Sequence, residues 1–346
     1  MPKKALILGV NGFIGSTLTE RILRTTDWEV SGMDMASDKL EGSLGNPKFQ
    51  FFEGDITVNK EFIEYQIKKC DVILPLVAIA TPALYVSDPV RVFELDFEAN
   101  LEIVRQCLKY KKHLVFPSTS EVYGMSGDKA FDEELTNFVL GPIKMQRWIY
   151  SCSKQLLDRL IYAYGKNEGL QYTLFRPFNW VGPKLDQIVE HKEGSSRVVT
   201  QFIANIIHGE DILLVDQGEQ RRCFTDIEDG INALMLILEN KNGCADSQIF
   251  NVGNPDNDYS IRELAETLLH LAASFPGYED VAAKTAVCGV DAIEYYGEGY
   301  QDIVSRVPCI NRAKEILGWT PTVGFEECLK KTLSHHLSHP SQELDG

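Results

Sequence analysis

Tyr150 and Lys154 stand four residues apart in "YSCSK", a spacing that puts both side chains on one face of a helix. A phenol with an ordinary pKa near 10 stays protonated at neutral pH. A neighbouring ammonium and a bound cationic ring would lower that value and make Tyr150 a general base. The same spacing also arises on any amphipathic helix, so its surroundings must decide. A second cluster, "STSE" at 118 to 121, follows the apolar run "HLVF" and one proline. The end of a buried strand has no structural use for three hydroxyls and a carboxylate in a row, so Thr119, Ser120 and Glu121 read as groups that handle a ligand.

A third group is the loop "GVNGFIG", which places Gly9, Gly12 and Gly15 between the first apolar run and the first helical pattern, with Asn11, Phe13 and Ile14 between them. Glycines there either make an ordinary turn or let a pyrophosphate approach a helix N-terminus, where free N–H groups favour negative charge. Asp34 closes the second apolar run nineteen positions after Gly15. An acid at that place accepts hydrogen bonds from an adenosine ribose and repels a 2′-phosphate, which points to NAD rather than NADP. Asp55, with Ile56, either meets the adenine edge or caps a turn.

The elements that must position these groups are legible in the rhythm of the chain. Short apolar runs at 5 to 9, 29 to 34, 49 to 53, 71 to 77, 113 to 118 and 172 to 176 predict strands, and amphipathic segments at 13 to 24, 91 to 110 and 148 to 165 predict helices. This alternation predicts an α/β fold with a doubly wound parallel sheet, whose ligands sit beyond the carboxyl ends of the strands. After about 181 the rhythm loosens, while 223 to 238 and 248 to 255 read as a helix and a strand returning to the sheet. The expected division is 1–180 plus 224–256 for the cofactor and 181–223 plus 257–346 for a smaller substrate lobe.

A net charge of −16 argues against general affinity for nucleic acid or anionic membranes. There is no apolar run of eighteen residues and no signal-peptide pattern, so the expected location is cytoplasmic. The eight cysteines show no C-x-x-C pair and are expected to be reduced and mostly buried. No metal is expected, His335 and His336 reading as a solvated helix end.

Taken together, the glycine loop, the acid after the second strand, "STSEVYG" and Y-x-x-x-K resemble the extended short-chain dehydrogenase/reductase family of nucleotide-sugar enzymes. The likeness runs along essentially the whole chain, through "RPFNWVGP" to "LGWTP". More narrowly, "LPLVAIATPALY", "FPSTSEVYGM", "RRCFTDIEDGI" and "YYGEGYQDI" resemble the UDP-glucuronate decarboxylase half of bifunctional polymyxin-resistance proteins. The formyltransferase half has no counterpart here, so a stand-alone enzyme or an excised piece is expected.

That resemblance implies UDP-glucuronic acid as substrate, oxidised at C4 and then decarboxylated to a UDP-4-keto-pentose. It implies that Ala78 faces the cofactor, that Ala80 and Tyr85 line the sugar nucleotide, and that Arg147, Asn179, Arg222 and Tyr300 bind further parts of it, Arg222 suiting the diphosphate. Thr119 would hydrogen-bond the C4 oxygen, Ser120 orient the carboxylate, Glu121 relay a proton and Arg306 donate one. Ser120 replaces the aspartate of related dehydratases, which disfavours loss of water. Asp96 stands where many members carry asparagine, and Leu213 where a lysine is usual. Members commonly form homodimers through paired helices, here 91 to 110 and 148 to 165. The competing expectations are a UDP-xylose synthase or a UDP-apiose/xylose synthase, which re-reduce or rearrange the ketone, and an NAD-sensing scaffold without catalysis.

Overall fold

The structure, a computed structural model, describes residues 2–186, 188 and 196–338. Seven parallel strands form the central sheet in the spatial order Gln248–Val252, Tyr172–Pro177, His113–Pro117, Val72–Pro75, Lys4–Leu8, Glu29–Asp34 and Phe49–Glu53. The central runs "ALIL" and "VILP" are buried throughout, as a sheet covered on both faces requires. Strand order reverses between Lys4–Leu8 and Val72–Pro75, which opens a crevice at their carboxyl ends. Helices Phe13–Thr25 and Ile227–Glu239 cover one face, while Lys60–Lys69, Asn100–Tyr110 and Trp148–Glu168 cover the other.

Two expected elements are interrupted, for one shared reason. The segment 91 to 110 is not a single helix: Pro89–Phe93 passes into a π-helical turn, Glu94–Ala99, before Asn100–Tyr110 resumes the α-helix. The strand expected over 71 to 77 stops at Pro75. Buried Asp96 and Asn100 take hold of the chain beyond it, Asp96 accepting the Ile79 N–H at 2.8 Å and Asn100 donating to the Val77 carbonyl at 3.2 Å. The wider turn brings both polar side chains to one loop, and that loop leaves the sheet to meet them.

The returning strand and helix form as expected, Gln248–Val252 pairing with Tyr172–Pro177. Beyond the sheet, a second apolar core gathers Phe202, Ile206, Leu214, Leu264, Phe325 and Leu329. On it lies a three-stranded sheet of Asp258–Ser260, Arg221–Cys223 and Ser305–Arg306, in which Arg222 and Arg306 are register partners. Helix Ile261–Ala272 starts from a capping box, Ser260 accepting the Glu263 N–H and Glu263 accepting the Ser260 N–H.

No described helix is long and apolar enough to cross a membrane. All eight cysteines are free thiols, but only Cys70, Cys107, Cys223 and Cys328 are buried. The histidine pair departs further from expectation. His336 is buried rather than solvated, and burial pushes its pKa down to about 4.

Candidate active site

A cleft of about 2150 Å³, including its open mouth, runs from the glycine loop to the three-stranded sheet. The space inside it that water-sized groups can occupy, about 490 Å³, falls within the roughly 300–1,000 Å³ of ordinary ligand pockets. Gly9, Gly12, Phe13, Ile14, Gly15, Ala78, Ala80, Tyr85, Thr119, Ser120, Glu121, Tyr150, Lys154, Asn179, Arg222, Tyr300 and Arg306 all line it. Asn11, Asp34, Asp55, Ile56 and Arg147 lie outside that lining.

At one end the glycines form a cradle that fits a dinucleotide. A Cβ on Gly15 would stand 2.3 Å from the Gly9 carbonyl oxygen, whereas one on Gly12 would meet only that oxygen, at 3.1 Å, leaving its other side open. Helix Phe13–Thr25 begins at Gly12 with no side-chain cap and no acid in its first turn, so its N–H groups remain available to a phosphate. Asp34 braces the loop, accepting the N–H groups of Asn11 and Met35 at 2.8 Å each. The Asn11 amide donates to Asp38 at 2.7 Å and accepts from Lys39 at 2.8 Å, so it ties two loops together. The Asp55 carboxylate accepts from the N–H and hydroxyl of Thr57 and thereby makes a turn, while Ile56 packs into the core beside it.

In the middle of the cleft, Tyr150 is buried on the first turns of Trp148–Glu168, bonds to Thr119 and stacks on Tyr85 with ring centres 4.7 Å apart. The protein's own groups act on it in the direction opposite to the one expected of an ammonium and a bound cationic ring. Burial pushes the phenol well above its ordinary value, and Asp96 and Glu121 push it further. Lys154 shares the helix face but donates to the Pro117 carbonyl at 3.1 Å. Burial lowers its pKa against the pull of Asp96 and Asp158.

At the far end, Glu121 lies between two guanidinium groups. Arg147 donates to it at 2.5 Å from behind the cleft wall, and Arg306 donates at 2.9 Å while reaching Ser120 Oγ at 3.5 Å. Arg222 pairs with Asp302 at 2.7 Å and donates to the Ile303 carbonyl. Burial would raise Glu121, but Arg147, Arg306 and Arg222 outweigh it and hold the carboxyl below the usual range. Burial and Arg222 push Arg306 below its ordinary value. Three buried cations therefore face the buried Glu121 and the part-buried Asp302, a cluster with one positive charge in excess and an aptitude for a further anion.

Asn179 reaches the same region from a left-handed backbone position, φ 41°, a conformation asparagine tolerates better than most residues. Leu213 adds an apolar wall, and Tyr300 stacks on Tyr296 with centres 4.0 Å apart. Sequence reasoning missed Asp302 and Arg197. Asp302 lies inside the quoted string "YYGEGYQDI", and Arg197, bidentate on Asp186, precedes the apolar helix Val198–His208 at the cleft wall. For Arg197 the start of that apolar helix was the available signal, whereas nothing in the sequence near Asp302 pointed to its pairing with Arg222.

The profile of the "NAD dependent epimerase/dehydratase family" matches residues 5–253. Among solved structures, the chain is similar to the PbgP3 protein from Burkholderia pseudomallei, at 56% identity and a TM-score of 0.91 over 99% of both chains. It shares its fold with a UDP-glucuronic acid 4-epimerase from Bacillus cereus in complex with UDP-glucuronic acid and NAD, at 21% identity and a TM-score of 0.80 over 97% of this chain and 99% of that one. A dTDP-glucose 4,6-dehydratase from Bacillus anthracis, also with NAD, shares the fold at 20% identity and a TM-score of 0.78 over 99% of this chain and 98% of that one.

Proposed function

Because this chain belongs to the NAD dependent epimerase/dehydratase family and uses NAD, we propose that it oxidises UDP-glucuronic acid at C4 and decarboxylates it, releasing CO2, NADH and a UDP-4-keto-pentose. The observation that carries this reading is the excess positive charge around Ser120, Glu121 and Arg306, next to the Tyr150 and Thr119 hydroxyls. A sugar bearing a carboxylate two bonds from its C4 carbon matches that juxtaposition.

When bound, NAD supplies the acceptor for the C4 hydride. Residues 1–180 plus 224–256 hold it through the glycine cradle, Asp34 and the loop containing Ala78, while 181–223 plus 257–346 bring Arg222, Tyr300 and Arg306 to the sugar nucleotide. Tyr150 takes the proton of the C4 hydroxyl, oriented by Thr119. The ketone so formed is β to the carboxylate, so the C5–C6 bond breaks with its electrons passing to the C4 oxygen. Ser120 and Arg306 align the departing carboxylate, and the developing enolate lies beside Thr119 and Tyr150. C5 then receives a proton, for which Arg306 is the assigned donor, its lowered pKa being the required direction. Glu121, held ionised, orients the two guanidinium groups.

The protein acts in the cytoplasm as a homodimer, the exposed Val90, Leu156 and Tyr162 on the helices of 89–110 and 148–168 forming the contact. Incubation with UDP-glucuronic acid and NAD tests the reading, with NADH followed by absorbance and CO2 and the nucleotide sugar identified. The expected result is one NADH per CO2 with a UDP-4-keto-pentose. UDP-xylose with CO2 and no net NADH would replace it with a redox-neutral synthase, and UDP-galacturonic acid without CO2 with an epimerase.

A further inference from the structure

The turn that carries Thr119, Ser120 and Glu121 is held from both sides. Before it, the Pro117 carbonyl accepts from Lys154 at 3.1 Å and the Ser118 hydroxyl donates to Asp158 Oδ2 at 2.7 Å. After it, the Val122 carbonyl accepts from Gln155 Nε2 at 2.7 Å and the Tyr123 hydroxyl accepts from Arg176 Nη1 at 2.8 Å. Lys154, Gln155 and Asp158 all stand on helix Trp148–Glu168, which also carries Tyr150. Arg176, on strand Tyr172–Pro177, closes the ring by donating from Nη2 to the same Asp158 oxygen at 3.1 Å. One guanidinium thus holds the far flank directly and the near flank through Asp158.

Stability does not account for this arrangement. Asp158 and Arg176 are 4% and 2% exposed, yet they do not form the two-bond fork open to an arginine and a carboxylate. Asp158 Oδ1 and Arg176 Nε have no hydrogen-bond partner among the described residues. A buried ion pair offsets its desolvation only when its remaining polar atoms are satisfied, so this one is a poor source of stability. Arg176 instead divides its two terminal nitrogens between the two flanks of the turn. Thr119, Ser120 and Glu121 line the cleft, whereas Val122, Tyr123, Gln155, Asp158 and Arg176 do not.

We propose that Gln155, Asp158 and Arg176 are positioning residues: they lock the Thr119–Glu121 turn to the helix of Tyr150 and so fix the Thr119 and Tyr150 hydroxyls relative to each other. The inference rests on the reading of those two hydroxyls as the groups that meet the sugar C4 oxygen. A displacement of about 1 Å near reacting groups can cost roughly a hundredfold in rate. Loosening one flank should therefore act on the oxidation step and leave binding alone.

Gln155→Ala releases the Val122 carbonyl and Tyr123→Phe detaches Arg176 from the turn, and neither side chain lines the cleft. The phenyl ring of Tyr123→Phe keeps its packing against Phe131 and Phe138, which preserves the local core. Single-turnover NADH formation from UDP-glucuronic acid should slow by about ten- to a hundredfold in each variant, with the dissociation constants of NAD and UDP-glucuronic acid unchanged. Parent rates in both variants overturn the proposal, as does slowing matched by an equal loss of NAD binding and folding. Amide hydrogen exchange without substrate separates this failure from failure of the reading. Residues 119–124 should exchange at least about tenfold faster in both variants, while the helix of Tyr150 keeps its protection. Unchanged exchange over 119–124 overturns the clamp whatever the substrate. Faster exchange, beside a parent protein that leaves UDP-glucuronic acid unoxidised, removes the substrate reading and leaves the clamp standing.

Discussion

Removing Arg306 tests the carboxylate site most directly. In Arg306→Ala the cluster falls to two guanidinium groups against two carboxylates, and its excess positive charge disappears. A hydrogen bond to a charged group contributes about 1.5–3 kcal/mol, which at about 1.4 kcal/mol per tenfold is a loss of roughly ten- to 150-fold in decarboxylation. If the same side chain delivers the proton to C5, general acid catalysis adds roughly a hundred- to ten-thousand-fold. The combined loss is therefore at least about a thousandfold. The fold should survive, because Glu121 keeps its 2.5 Å partner Arg147 and avoids the ~3–5 kcal/mol cost of an orphaned buried charge. The assay is single-turnover release of CO2 from carboxyl-labelled UDP-glucuronic acid, alongside NAD binding and a melting curve. Arg306→Lys should recover part of the recognition but not the full rate, since a lysine cannot keep the same forked geometry. Wild-type CO2 release from folded, NAD-binding Arg306→Ala protein would refute the reasoning, as would a parallel loss of folding and NAD binding that accounts for the whole effect.

NAD should support turnover far better than NADP because Asp34 closes the ribose end of the cradle, and equal kcat/KM for the two cofactors would contradict this. Tyr150→Phe should lower NADH formation by roughly a hundred- to ten-thousand-fold while nucleotide-sugar binding, measured by calorimetry, persists. His113 and His336 are buried with pKa values pushed down to about 4, so the unfolded chain binds more protons between about 4 and 6.5. The stability they contribute is complete above about 6.5 and is lost as pH falls toward 4, on the order of 3 kcal/mol for each site. Melting temperature should fall across that window, less steeply in His336→Gln, and an unchanged slope would count against the assignment.

Contiguous strings were the legible part of this molecule. "GVNGFIG", "STSE" and "YSCSK" each gather their candidate groups within a few residues and all reach one cleft, and the parallel sheet follows from apolar runs separated by amphipathic helices. What was hidden depends on contacts distant in sequence. Arg222 and Asp302 are eighty positions apart, and nothing local in either segment announces the pair. Arg147 was expected among the ligand contacts, yet it stands behind Glu121 and acts on it from the protein side. Periodicity shows Lys154 four residues from Tyr150 but not that its ammonium donates to the Pro117 carbonyl, or that Asp96 and Glu121 act on the phenol from other elements. The π-helical turn escaped notice because its cause is the demand of a neighbouring loop for two polar partners.

The unequal count of charges at the far end of the cleft bears on which way the reaction runs. On the proposed reading, a carboxylated sugar completes the set, bringing the third carboxylate that three guanidinium groups and two carboxylates lack. Once CO2 departs, the remaining sugar is neutral at that carbon and no longer compensates Arg306, while Glu121 is free to reclaim it at 2.9 Å. The site would thus grip what enters more firmly than what is left, ejecting its product by cancelling the charge that held the substrate. Product inhibition by the keto-pentose nucleotide would then come almost wholly from the uridine diphosphate portion.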